Sequence, residues 1–337
     1  MNNKSKTTFK KILDYFVKTL NGMAYGLFST LIIGTIIGTI GTLVNVPAII
    51  HLADLLKTMT GIGIGVGIAW SLQLEGLKLI AAGVAGGIAS TLSFGRPGDP
   101  FVEYLCAIGA IEVVRLVLRK KTPVDIIIVP LFSAAVAYGL FLLINQPISS
   151  MMRAIGNFIQ WATTEKPFIM GIIISVVMGM VLTAPISSAA IAISINLGGL
   201  AGGAAVVGCC VQMVGFAVMS RKDNNLGTII SVGIGTSMLQ FKNILKKPLL
   251  WLPTIIVSAI LGPLATLVFH VHTDAYGSGM GTSGLVGQFA TYSAMGNQLW
   301  FWLSVFVLQI ALPILLVWLI DLIFRKMGWI QLGDLKI

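Results

Sequence analysis

Charge is what this sequence has least of. Only 10% of its 337 residues are Asp, Glu, Lys or Arg, against roughly 25% in an ordinary soluble domain, while 56% are hydrophobic. Such a chain cannot cover itself with polar surface. That excludes a soluble enzyme, a nucleic-acid-binding protein and a disordered chain, each of which needs more charge. Cysteine and histidine are scarce too, at three each. Cys106, Cys209 and Cys210 lie inside apolar runs without ligand-like spacing to the histidines, so no disulfide framework and no metal site is expected. They read as small buried hydrophobes. There is no Ser-His-Asp set and no carboxylate pair in polar surroundings, so no catalytic residue and no cofactor is assigned.

What is present is long apolar sequence, with a mean hydropathy of +0.94. The medium is lipid, and at about 20 residues per span the chain allows about ten crossings. Apolar segments read at 24–45, 60–74, 77–94, 100–118, 124–144, 168–187, 188–200, 201–220, 226–241, 248–270 and 300–324, with 188–200 and 226–241 short enough to be broken or re-entrant. Residues 1–23 place Phe9, Ile12, Leu13, Phe16, Val17 and Leu20 on one helical face and lysines off it, the pattern of an interfacial amphipathic helix. Residues 145–167 contain a second such stripe. The basic clusters are Lys4 to Lys18, Arg115 to Lys121, Arg221 and Lys222, Lys242 to Lys247, and Arg325 with Lys326, whereas 271–299 has no Lys or Arg. The positive-inside rule then places both termini in the cytoplasm and 271–299 outside.

The halves 24–144 and 168–270 share local patterns. Gly26 and Gly34 recur as Gly171 and Gly179, and Lys120-Lys121, Pro130 and Gly139 recur as Lys246-Lys247, Pro253 and Gly262. Duplicated halves are an architecture of secondary transporters, whose sites lie where the repeats meet. The Gly-rich stretch 277–284 reads as a flexible external or re-entrant gate, and 300–337 as the last span with a short tail.

A charged or amide side chain inside an apolar run is expensive, and marks a site or a helix-to-helix contact. The clearest cluster is SFGRPGDPFVEY. There two prolines free backbone groups that only protein or water can satisfy at depth, and Arg96, Asp99 and Glu103 project from the break. The broken segment ending in TSMLQFKN offers Gln240 and Asn243 as a counterpart. Gln73 and Glu75 lie between two segments, and Gln212 stands alone in an apolar run. These eight residues are the candidate solute ligands. Glu112 and Arg115, three apart, read as a structural ion pair. In TMTGIGIGVG the pairs Gly61/Gly65 and Gly63/Gly67 read as helix-packing faces rather than an ion filter.

The basic amphipathic start, the duplicated halves, the SFGRPGDP break, the KKxP-type loops and LTAPISSAAIAISINLGGLAGGAA at 182–205 together resemble the membrane IIC component of bacterial phosphotransferase-system sugar transporters. The likeness is to the stand-alone branch that includes perfringolysin-regulator-like proteins. It implies an all-α polytopic protein of the bacterial inner membrane, forming homodimers in lipid. Such a protein moves a sugar or sugar derivative inward and works with separate IIB and IIA proteins. In that complex this chain is at most the translocating subunit. The Gly-Ile-Thr-Glu segment of glucose-type carriers is absent, so no family ligand is carried over. A membrane sensor or regulator with the same fold stands as an alternative, as does a phosphorylation-independent carrier or channel.

Overall fold

The computed structural model describes residues 3–92, 99–117 and 122–337, and it is helical throughout with no β-strand among them. Arg96 and the Lys120-Lys121 pair lie outside the described residues. The chain divides into two compact units, Met1–Ser149 and Ser150–Ile337. The first contains α1 (Asn3–Leu27), a π-helical turn (Phe28–Ile32), α2 (Ile33–Leu43), α3 (Pro47–Thr58), α4 (Thr60–Ser71), α5 (Leu77–Thr91), α6 (Pro100–Val117) and the start of α7 (Asp125–Ala162). The second contains the rest of α7, α8 (Pro167–Thr183), α9 (Ser188–Ser194), α10 (Gly199–Met219), α11 (Leu226–Ile230), α12 (Phe241–Lys246), α13 (Leu252–Leu267), α14 (Val286–Met295), α15 (Leu299–Leu303) and α16 (Leu312–Lys326).

Among the described residues, five helical stretches are long and apolar enough to cross a bilayer: Asp14–Thr42, Asp125–Ala162, Gly199–Lys222, Pro248–Leu267 and Leu299–Lys326. The pair α3–α4, bent by 49°, makes a sixth if it counts as one span.

Small residues set the packing. With glycine at every second position, α4 has two smooth faces. A Cβ on Gly61 or Gly65 would overlap the carbonyls of Gly86 and Ala82 on α5, and one on Gly63 or Gly67 would crowd the Gly26 and Gly22 carbonyls on α1. The alternation thus seats one short helix between two others at backbone contact, the role expected for small-residue faces in lipid. In the second unit α10 is the centre, buried along nearly its whole length. Gly208 on α10 meets the Ser175 carbonyl on α8, and Gly262 on α13 meets Gly171 on α8.

Two sequence expectations change. The interfacial helix expected at 1–23 and the span expected at 24–45 form one uninterrupted helical run to Leu43, because no proline occurs before Pro47 to end it. Most of the stretch 145–167, expected as a separate interfacial helix, is the far half of the 38-residue α7, which carries Pro130 and Pro147 inside it. Each proline removes one ladder hydrogen bond, and neither ends a helix whose apolar period continues on both sides.

The close crossings make a direct prediction. Gly208→Ala should lower stability by about 1–3 kcal/mol through overpacking. Gly139→Ala on α7, with nothing within 4 Å of the new methyl, should leave it unchanged or gain up to about 1 kcal/mol of helix propensity. Melting in detergent distinguishes the two.

Candidate functional site

The densest buried polar chemistry of the described residues surrounds α10. Gln212, fully buried, accepts through Oε1 from Thr254 Oγ1 at 3.0 Å, Trp251 Nε1 at 3.1 Å and Thr183 Oγ1 at 3.3 Å. Because indole nitrogen only donates, the Trp251 contact fixes which end of the amide is oxygen. The Gln212 Nε2 donor is left buried without a partner.

The polar chain continues from Thr183 to Ser237, hydroxyl to hydroxyl at 2.8 Å. Ser237 follows the point where the 226–241 segment breaks. A π-helical turn (Ser231–Gly235) ends at Thr236, whose φ of −161° and ψ of 136° are extended. A break inside apolar surroundings strands carbonyls that need donors. They come from the Gly-rich stretch, where Thr282 Oγ1 donates to the Gly233 carbonyl and Ser283 Oγ to that of Gly235 at 2.8 Å. The stretch is itself seated inside the unit rather than lying open. Ser188 Oγ donates to the Gly279 carbonyl at 2.6 Å. Gly281 has φ +54°, and a Cβ there would press on Cys209. Glycine is therefore required at 281 both by backbone conformation and by space.

On the opposite side of α10, two residues and about 200° away from Gln212, Cys210 meets a second amide pair. Gln288 Nε2 donates to Gln309 Oε1 at 2.8 Å and lies 3.3 Å from Cys210 Sγ. Gln309 sits in the π-helical stretch Ser304–Ala311 of the last span. Gln288 Oε1 and Gln309 Nε2 are buried and unpartnered. One acceptor and two amide donors thus stand unused, and no ionised side chain takes part in these bonds.

In the first unit, Asp99 Oδ1 accepts from the Phe101 amide at 2.8 Å at the start of α6. Glu103 is fully buried, with the Ser90 side chain beside its carboxyl group. Farther along α6, Glu112 Oε1 accepts from Tyr15 at 2.6 Å and from its predicted partner Arg115 at 2.9 Å. Gln73 and Glu75 occupy the exposed turn after α4. Gln240 and Asn243 are buried, but their amides are engaged by backbone carbonyls of Leu335 and Lys336 at 3.0 and 3.1 Å. Burial, with the charge of Lys246, pushes the Lys242 ammonium between them down to about 8. Of the seven sequence candidates among the described residues, only Gln212 belongs to the cluster on α10. Gln288 and Gln309 carry the signal that singled out Gln212, an amide inside an apolar run. The hydroxyls of Thr183, Ser237 and Thr254 carry none.

The two buried groups respond differently to substitution. Gln212→Leu strands the Trp251 donor and should cost about 1–3 kcal/mol. Glu103→Gln keeps the size and hydrogen-bonding capacity of the side chain while removing a buried ionisable group that is costly to charge in the interior, and should leave the melting temperature equal or higher.

Over residues 17–337 the chain matches the family described as Phosphotransferase system, EIIC. No curated protein and no solved structure matches it. The match spans nearly the whole chain, which therefore belongs to that family, and with its apolar helices it is a multi-pass membrane protein of the IIC transporter type.

Proposed function

From membership of the phosphotransferase-system EIIC family as premise, we propose that this chain carries a small, uncharged, hydroxyl-rich solute, a sugar or sugar derivative, across the bacterial inner membrane into the cytoplasm. The observation that carries this reading is the neutral buried cluster on α10, with its unused amide donors and acceptor beside two interlocked helix breaks. Sugar hydroxyls both donate and accept, so they can complete Gln212 Nε2 on one side of α10, or Gln309 Nε2 and Gln288 Oε1 on the other, without bringing a charge into the interior. None of the bonds of the cluster among the described residues involves a cation, and burying an unpaired charge is far costlier than burying a satisfied hydroxyl.

In this proposal, the chain makes about ten crossings as two related halves with both termini in the cytoplasm, and works as a homodimer. Separate IIB and IIA proteins phosphorylate the arriving solute. Asp99 and Glu103 provide a second polar station, in the first unit.

The test is thermal stabilisation of the purified protein by a panel of sugars, polyols, organic acids and ions, since a ligand that binds only the native state must stabilise it, by about 2.7 kcal/mol at a hundredfold excess over Kd. A neutral sugar should give a saturable shift. The double variant Gln288→Met with Gln309→Met removes both partners of one bond together, so it should fold with near-normal stability and lose that shift. A shift only with acids or ions, or one retained in the double variant, would refute the assignment. Binding without flux in liposomes would instead make the chain a sensor of the same solute.

A further inference from the structure

Residues 330–337 are held by an array of bonds that the solute cluster does not require. Asp223 accepts from the backbone amides of Gly333 at 2.9 Å and Leu335 at 3.1 Å. Asn224 grips the same stretch from both ends of its amide, donating to the Leu335 carbonyl at 2.8 Å and accepting from the Ile337 amide at 2.9 Å. Gln240 and Asn243 donate to the carbonyls of Leu335 and Lys336, and Lys247 pairs with Asp334 at 2.6 Å. The Leu335 side chain is fully buried.

Two features make this more than a tidy end to the last helix. First, its base is an ion-pair network. Arg325 bonds the buried Asp321 at 2.9 Å and lies 4.0 Å from Asp223, while Arg221 reaches Asp321 at 3.2 Å. Asp223 is thereby fixed between α10 and α16 as an acceptor aimed at the 333–335 backbone. Second, the other anchor, Gln240, ends the 3-10 turn Ser237–Gln240, whose first residue bonds Thr183 and through it Gln212. A continuous path of hydrogen bonds and one short turn runs from Leu335 to the cluster.

We propose that residues 330–337 are a strap that holds the 236–247 segment closed against the Gln212 side of the cluster, and that the strap must unseat before this side opens to water. The gating role rests on the reading of the cluster as the solute site, whereas opening to water can be measured without any solute. Recognition is directed largely at the strap's main chain, with the buried Ile330 and Leu335 as apolar plugs and Asp334 as charged tether.

The test uses the full chain in detergent, with N-ethylmaleimide as the probe of access and amide hydrogen exchange as the probe of strap seating. Labelling is quantified separately at Cys209, on the Gln212 side of α10, and, as internal controls, at Cys210 on the opposite side and at Cys106 of the first unit. Leu335→Asp should expose the 330–337 amides and raise labelling at Cys209 at least tenfold, with Cys210 and Cys106 unchanged. Leu332→Asp adds the same charge at a strap position whose side chain is 76% exposed, and should change neither. Asp334→Asn, which keeps the fold's apolar contacts, should give a smaller rise of the same kind and replaces Leu335→Asp if that variant does not fold. Unchanged labelling with a deprotected strap, or a strap that keeps its protection when Leu335 is charged, would overturn the proposal. Failure of solute recognition shows instead as an absent ligand shift, so the two claims fall separately.

Discussion

A helix can be broken in an apolar interior only if something else bonds the backbone groups it releases. In the second unit the donors are the hydroxyls of Thr282 and Ser283, and the acceptors are the carbonyls of Gly233 and Gly235. Each interrupted segment supplies what the other lacks. The interruption at Thr236 then turns Ser237 toward Thr183 and Gln212, and the Gly-rich stretch comes close enough to touch Cys209. The small residues of α10 allow this approach, because larger side chains would hold both segments away from the helix.

The same constraint explains why the polar groups of the second unit differ in kind. Around α10 they are amides and hydroxyls, which can be left partly unsatisfied at a cost of a few kcal/mol, a cost that the proposed solute would offset with its own hydroxyls. At the end of α16 they are full charges, Asp321 with Arg221 and Arg325, and these are paired. Neutral groups with spare bonding capacity suit reversible binding. Paired charges suit a fixed anchor, because removing one partner leaves the other buried and uncompensated. The strap spans the two regimes, bonded to Asp223 at the anchor and to Gln240 beside the cluster.

Local features were legible in the sequence. The alternating glycines of α4 carry their two packing faces in their spacing, and Glu112 with Arg115 pair as two residues of one helical face do. Gln212 stood out because an amide in an apolar run needs a reason. Features that depend on distant partners were not legible. Nothing in TSMLQFKN shows that Gln240 and Asn243 meet carbonyls more than ninety residues away, and the hydroxyls of Thr282 and Ser283 look like ordinary loop chemistry until the stranded carbonyls opposite them are known. The continuity of α7 through Pro147 was missed for another reason. A proline at an apolar-to-polar change reads as a boundary, yet its cost of one hydrogen bond is small beside a helix of that length.

The central claim is that the interlocked breaks around α10 are where solute is recognised. The most direct measurement is hydrogen exchange of the unmodified protein with and without a saturating neutral sugar. Binding at the breaks predicts slower exchange concentrated in residues 231–240 and 277–288. Slowing confined to the Asp99–Glu103 region, or exchange in 231–240 and 277–288 unchanged by a bound sugar, would contradict the account.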